Sequence, residues 1–205
     1  SRGLGDVYKR QGHDSPDVVG DRDRLGVMLL IVADIAFVFS LSFSYLYLRG
    51  LNTNDAWLTA ETTVATQSSI WSITALILFA ALSFNWGLRG IKVGNNSRLL
   101  LGSLIALLSS LIALGWQFWQ FNSAPYFVPV TSGYTSMLIA LAVGNMIHLI
   151  LTSFISFGIW NRARLNLFSK SNHWNVKIVG IWFAWVALST VLTSLLTLLV
   201  EAPGK

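Results

Sequence analysis

The sequence contains no cysteine and little charge, and each shortage limits what the chain can be. Without cysteine it has no disulfide, no thiolate metal ligand and no cysteine nucleophile. Only 11% of its 205 residues are charged, whereas soluble domains carry about 25%. It has three histidines, whereas a haem held by two histidines or a histidine-rich copper site needs several at membrane depth. We therefore expect no metal ligands and no catalytic residues in this chain.

What the sequence does contain is long apolar runs, since 54% of its residues are hydrophobic. About 20 apolar residues in a helix cross the hydrocarbon core of a bilayer. We expect an all-α, polytopic membrane bundle of about five transmembrane helices, forming one domain over residues 25–200 with a short outer tail at 201–205. The expected spans are about Leu25–Leu48, Gln67–Leu88, Leu99–Phe118, Gly133–Trp160 and Val176–Val200.

The connections between these spans differ in their positive charge. The second and fourth each carry three lysines or arginines, the first carries Arg49 alone, and the third carries none. Short loops rich in lysine and arginine stay on the cytoplasmic side. This pattern predicts an N-terminus inside and a C-terminus outside, and it accounts for the net charge of +5 without a nucleic-acid partner.

The first residues differ in character from the rest of the chain. Residues 1–11 read SRGLGDVYKRQ, and their reverse translation matches the adapter used in transposase-based sequencing libraries. We expect this stretch to be a sequencing artefact and exclude it from fold reasoning. Residues 12–24 are polar and rich in aspartate, and we expect a mobile cytoplasmic tail.

Asp34 is the carboxylate that lies well inside an expected span. It follows Leu25 by nine residues, which places it roughly 14 Å deep at 1.5 Å per helical residue. Helical spacing puts Val38, Ser42, Tyr45 and Arg49 on its face. A charge at mid-bilayer costs at least about 2.5–3.5 kcal/mol, so this face should point into protein. Asp34 then either locks helix packing or lies near a proton path.

Two other spans carry polar side chains at helical spacing. Asn145, His148 and Thr152, continued by Ser156, form a stripe on the fourth span. A histidine in such a stripe is either a packed, hydrogen-bonded residue or a ligand. Gln117 and Gln120 share a face of the third span, where amides either join helices by hydrogen bonds or bind a ligand.

Four segments, in order along the chain, carry the motifs of a known family. They are Asp34 with the phenylalanines, Tyr45 and Arg49 that follow it; Glu61-Thr62 with Ser68, Ser69 and Thr74; Gln117-Phe118-Trp119-Gln120-Phe121; and Tyr126-Phe127 before Thr131-Ser132-Gly133. Over most of residues 25–185 this set resembles subunit III of the haem-copper oxidases, in its short five-helix bacterial form. The chain departs from the family at Asp34 and Gln120, where glutamate is usual, and at Tyr134 to Ser136, where histidines are expected.

The resemblance implies a non-catalytic subunit of an oxygen-reducing terminal oxidase in the bacterial inner membrane. Such a subunit packs against oxidase subunit I, in a complex that includes subunit II, holds structural phospholipids, and supports proton uptake and enzyme stability. Haem and copper are expected on the partner subunits and no cofactor on this chain. The electron donor, cytochrome c or quinol, stays open, as does a relative associated with nitric oxide reductase.

Two other classes of function remain. One is a small proton- or solute-translocating membrane protein that uses Asp34 and His148 along a polar route. The other is an assembly or scaffold protein of the membrane.

Overall fold

The protein is described here from a computed structural model, which covers residues 16–123, 125–126 and 132–202, without the side chains of residues 16–23. Residues 1–11, expected to be an artefact, lie outside the described residues, as do Phe127 and Thr131 of the last family motif. Within the described residues the chain is all-helical and contains no strand.

Among the residues that the structure describes, five long helices make up the fold. They are α1 (Pro16–Leu51), α2 (Gln67–Lys92), α3 (Asn96–Phe121), α4 (Gly133–Arg164) and α5 (Trp174–Leu196). Each is long and apolar enough to cross a membrane, α1 over its segment Arg24–Leu51. The expected all-α bundle of five apolar helices is therefore confirmed, and the chain is a multi-pass membrane protein by helix length and composition.

Several helix ends differ from those expected from hydropathy; for example, α2 and α4 each end four residues later than expected, at Lys92 and Arg164. Helix α1 begins at Pro16, so part of the segment expected to be a tail is helical. Helix α5 ends at Leu196, four residues before the expected end at Val200.

The helices alternate in direction and form a ring. Helix α1 contacts α4 and α5; α5 contacts α2, α2 contacts α3, and α3 contacts α4. The contact between α4 and α5 crosses this ring. It forms a triangle of α1, α4 and α5 on one side and a group of four, α2, α3, α4 and α5, on the other. One end of the ring holds the basic α2–α3 and α4–α5 connections and is called here the basic end. The other holds Asp55, Glu61 and Glu201 beside Arg49 and is called the acidic end.

Small residues let α2 and α3 approach closely. A Cβ atom added to Gly102 would lie 2.6 Å from the Ser83 carbonyl oxygen and 2.8 Å from the Cα of Gly87. Interfaces in membranes favour such residues because packing, not the hydrophobic effect, drives helices together there. The short turn between the two helices uses Gly94 at φ 86°, and Asn95 caps α3 by accepting a hydrogen bond from the Arg98 N–H.

An aromatic cluster closes the acidic end of the bundle. Trp57, in the α1–α2 connection, packs edge-on against Tyr45 of α1 and Tyr134 of α4, with ring centroids 5.1 and 5.8 Å away. Its indole N–H donates to the Val200 carbonyl at 2.7 Å, and the Tyr45 hydroxyl donates to the Leu199 carbonyl at 3.1 Å. The cluster thus fastens α1, α4 and the segment after α5 at one level.

At the basic end, His173 precedes α5 and is buried. Removal of its ring from water lowers the pKa of His173 below 6.5, as does the nearby charge of Lys177, with a smaller effect from Lys92. The carbonyls of Ser169 and Lys170 oppose this shift. His173 is therefore held in its neutral form at pH 7.

The close approach of α2 and α3 predicts that replacing a glycine of α3 by alanine has different effects on stability at different positions. Gly102→Ala should destabilise the bundle by about 1–3 kcal/mol, because the new methyl group overpacks a backbone contact. Gly115→Ala is the matched control on the same helix, since a Cβ at Gly115 meets nothing within 4 Å. Unfolding in mixed detergent measures both, and equal stabilities would contradict this packing.

The lowered pKa of His173 predicts a pH dependence. An unfolded histidine binds a proton near pH 6.5, before the folded one does, so the unfolded state is favoured as the pH falls through that value. The wild-type chain should lose stability there, and His173→Gln should remove that part of the loss. NMR titration of the ring checks the cause; a pKa at or above 6.5 would refute it.

Candidate functional site

An acid, an imidazole and an indole meet in the triangle of α1, α4 and α5. His148 Nε2 lies 2.8 and 3.0 Å from the two carboxylate oxygens of Asp34. The indole N–H of Trp185 donates to Asp34 Oδ2. The His148 side chain is 6% exposed and that of Asp34 is 15% exposed. The carboxylate is thus enclosed and holds two hydrogen-bond partners from two other helices.

The position of these residues along their helices explains why they pair. His148 and Trp185 stand near the middle of α4 and α5, and Asp34 stands near the middle of the apolar part of α1. At that depth an unpaired carboxylate facing lipid would lack any hydrogen-bond partner, and its burial would be costly. The contact satisfies both groups at once, and it joins all three helices of the triangle.

Helix α5 also fixes the imidazole from a second side. Trp182, one turn before Trp185, packs edge-on against the His148 ring with centroids 6.1 Å apart. Its indole N–H donates to the Thr152 hydroxyl at 3.0 Å, one turn beyond His148 on α4. The orientation of His148 is therefore set by the uncharged Trp182 as well as by the carboxylate of Asp34.

A second set of polar side chains extends from this region to the acidic end. Asn145, one turn from His148, donates to Gln117 at 2.9 Å. Gln117 donates to Gln120 at 2.8 Å, and Gln120 donates to the Ser69 hydroxyl at 2.7 Å. The Thr190 hydroxyl of α5 donates to the side-chain Oδ1 of Asn145 at 3.2 Å. This amide ladder links α2, α3, α4 and α5 by side chains alone.

The remaining residues of the α1 stripe differ in their surroundings. Val38 and Tyr45 are buried. The Ser42 hydroxyl donates to the Val38 carbonyl within α1 at 2.8 Å, so it makes no contact between helices there. The Nε of Arg49 is buried without a hydrogen-bond partner among the described residues.

Two residues of the Glu-Thr, Ser-Ser motif lie apart from the ladder. Glu61 is exposed in a turn of the α1–α2 connection, and Ser68 is exposed in the first turn of α2. Ser69 accepts two hydrogen bonds, from Gln120 and from the Trp116 indole at 2.9 Å. The serine pair therefore divides into one residue inside the network and one at the surface.

Sequence reasoning missed Trp182, Trp185 and Thr190, which complete the site. Tryptophan in a membrane chain is usually placed at the interfaces. These two indoles instead stand inside α5, three residues apart, and so on one helix face. Tryptophan in the middle of a span is the signal that was available, because a buried indole N–H needs an acceptor.

Among the residues that the structure describes, no three or more histidine, cysteine, aspartate or glutamate side chains form a group able to hold a metal ion. What the site offers chemically is a carboxylate and an imidazole in direct hydrogen-bond contact. Hydrogen bonding, helix attachment and proton exchange are the tasks open to it.

The Asp34–His148 contact predicts coupled effects on stability. Asp34→Leu or His148→Leu alone should cost about 1–3 kcal/mol, because each leaves a buried polar partner unsatisfied. The double variant should cost less than the two single costs together, by a coupling energy of about 0.5–3 kcal/mol. Unfolding in mixed detergent measures the free energy of unfolding of the wild type and of the three variants, which together form a double-mutant cycle.

A second double-mutant cycle, which combines Ser42→Ala with His148→Leu, serves as the control. Ser42 bonds only within α1 among the described contacts, so these two changes should be additive. Additivity in the Asp34 cycle as well would show that the two side chains do not interact.

Comparison with family models and with curated proteins finds no match for this chain. The function proposed next therefore rests on the geometry of its own residues and on the resemblance described above.

Proposed function

We propose that this chain is a non-catalytic subunit of a haem-copper terminal oxidase, in the manner of subunit III. In that role it packs against subunit I within a complex that includes subunit II, holds phospholipid between its helices, and supports proton uptake and stability. Haem and copper belong to the partner subunits. The complex works in the bacterial inner membrane, with the basic end of this chain inside.

The observation that carries the proposal is that residues of two of the four family motifs meet in space. Ser69 comes from the motif that opens α2, and Gln117 and Gln120 come from the motif that ends α3, about 50 residues later. Their side chains join in one hydrogen-bonded ladder, which continues to Asn145 of α4. Two motifs that lie far apart in the sequence thus contribute to one hydrogen-bonded network, which supports the resemblance.

The surface of α1 supports a role beside a partner. In the most apolar segment of α1, only 11% of the residues are buried within the bundle. In the corresponding segments of the other four helices, the buried share is 44–56%. Phe43 and Tyr47 stack on this surface with centroids 5.9 Å apart, and they are 59% and 55% exposed. Stacked aromatic side chains that face outward are suited to packing against another membrane subunit.

Affinity purification of the tagged chain in mild detergent, followed by a reduced-minus-oxidised optical spectrum, tests the proposal. We expect haem bands to co-purify with a large, histidine-rich membrane subunit. A stable chain without haem or such a partner would refute the oxidase role.

The contribution of α1 is tested by substitution within the same purification. Phe43→Ala with Tyr47→Ala should lower the haem recovered per chain, because the stacked pair leaves the interface. Phe154→Ala with Phe157→Ala is the control, since these α4 side chains are 76% and 52% exposed on a helix not assigned to the interface. Equal losses from both pairs would contradict a partner site on α1.

Proton translocation by the chain alone is the second candidate, and the Asp34–His148 contact favours it. A carboxylate and an imidazole in hydrogen-bond contact at mid-bilayer are the groups that proton relays use. Acidification of proteoliposomes that hold the purified chain, compared with its Asp34→Asn variant, distinguishes this activity from that of a passive subunit.

A further inference from the structure

Three cavities follow one another from the acidic end to the middle of the bundle. A groove of about 450 Å³ lies between α2 and α3 at the acidic end and is lined by Ser69, Gln120 and Tyr126 among others. Next comes a central cavity of about 40 Å³. The last, here called the histidine cavity, has about 10 Å³ and is lined by His148.

Shared lining residues connect these cavities. Gln120 and Tyr126 line both the groove and the central cavity. The central and histidine cavities share four residues, which are Leu141, Asn145, Thr190 and Thr193. Each cavity therefore adjoins the next along residues that line both.

Water fits the size and the chemistry of this line of cavities. About 10–15 Å³ suffices for one water molecule, so the central cavity has room for a few and the histidine cavity for about one. Thr190 and Thr193 donate their hydroxyl protons to carbonyls of α5 or to Asn145, which leaves oxygen lone pairs as acceptors. Asn145 and the two glutamines add further polar atoms along the wall.

No charged side chain stands among the described residues that line the three cavities. His148 and Tyr126 are the titratable groups there. Burial raises the pKa of Tyr126, and so does the neighbouring Tyr134, which keeps the phenol neutral. Asp34 of α1 contacts His148 on the side away from the cavities. Among the other polar groups around the route and the pair are the amides of α3 and the hydroxyls and one indole of α5. A proton that enters from the acidic end thus meets no fixed positive charge before His148.

We propose that water reaches the Asp34–His148 pair from the acidic end through these three cavities, and that the pair exchanges one proton with that end of the bundle. The proton passes between a water molecule and the imidazole–carboxylate pair, and no other bond forms or breaks. Amide side chains hold the water in place and do not themselves carry the proton. The route concerns this chain by itself, so its failure would leave the oxidase proposal standing.

Radiolytic hydroxyl labelling of the full chain in lipid nanodiscs, read by mass spectrometry, tests the route. Hydroxyl radicals formed from bound water oxidise the side chains next to that water. We expect oxidation of Leu141 and His148 well above that of Leu151, which is on the same helix and 39% exposed toward lipid. Oxidation of His148 no greater than that of Leu151 would overturn the proposal.

A cavity-filling variant tests the direction of entry. Ala142 lines the central cavity and is 8% exposed, so Ala142→Val fills part of that space. We expect the label at His148 to fall to the level of Leu151, while Tyr126, on the acidic side of the block, stays labelled. Ala36→Val on the exposed face of α1 is the control and should change neither. Persistent labelling of His148 in Ala142→Val would place the water entry elsewhere and overturn the route.

Discussion

A carboxylate in the middle of an apolar helix needs a partner, and the position of α1 depends on that need. Lipid tails are as apolar as leucine, so an apolar helix gains little from leaving lipid for protein. Helix α1, with its largely exposed apolar segment, shows how weak that gain is. Asp34 supplies the missing attraction, because His148 and Trp185 stabilise its carboxylate at mid-bilayer. Tyr45 and Trp57 add a second attachment at the acidic end.

The other four helices are held by a different mixture of forces. Helices α2 and α3 approach through glycine, so that backbone packs on backbone at Gly87 and Gly102. Helices α2 and α5 join through the stacked rings of Phe84 and Phe183, 4.6 Å apart. The amide ladder then crosses the group of four near its acidic end. Because the other helices also pack through glycine and stacked rings, α1 is the helix that depends most on polar contacts. It is also the helix with the most surface left for a partner.

The sequence was sufficient for the number of helices and for which side of α1 is buried. Hydropathy locates apolar runs of membrane length, and helical spacing from Asp34 identifies Val38 and Tyr45 as residues of the buried face. Neither pattern predicts that Asp34 meets His148, because that pairing depends on which helices are neighbours in the ring. Trp185 was missed for a further reason, since tryptophan in a membrane chain is first assigned to the interface. The amide ladder was predicted only as two glutamines on one face, without Ser69 or Asn145 as their partners.

The proposed functions all use the same contact between α1 and the rest of the bundle. A subunit that packs through α1 needs that helix fixed in place, and a proton route needs the carboxylate and imidazole in contact. Solid-state NMR in lipid bilayers measures the contact directly, as the dipolar coupling between the Asp34 side-chain carboxyl carbon and His148 Nε2. The account predicts a strong coupling, of the size expected for groups in direct hydrogen-bond contact. A coupling too weak to detect would mean that Asp34 is held by something else, and it would contradict the arrangement of α1, α4 and α5 described here.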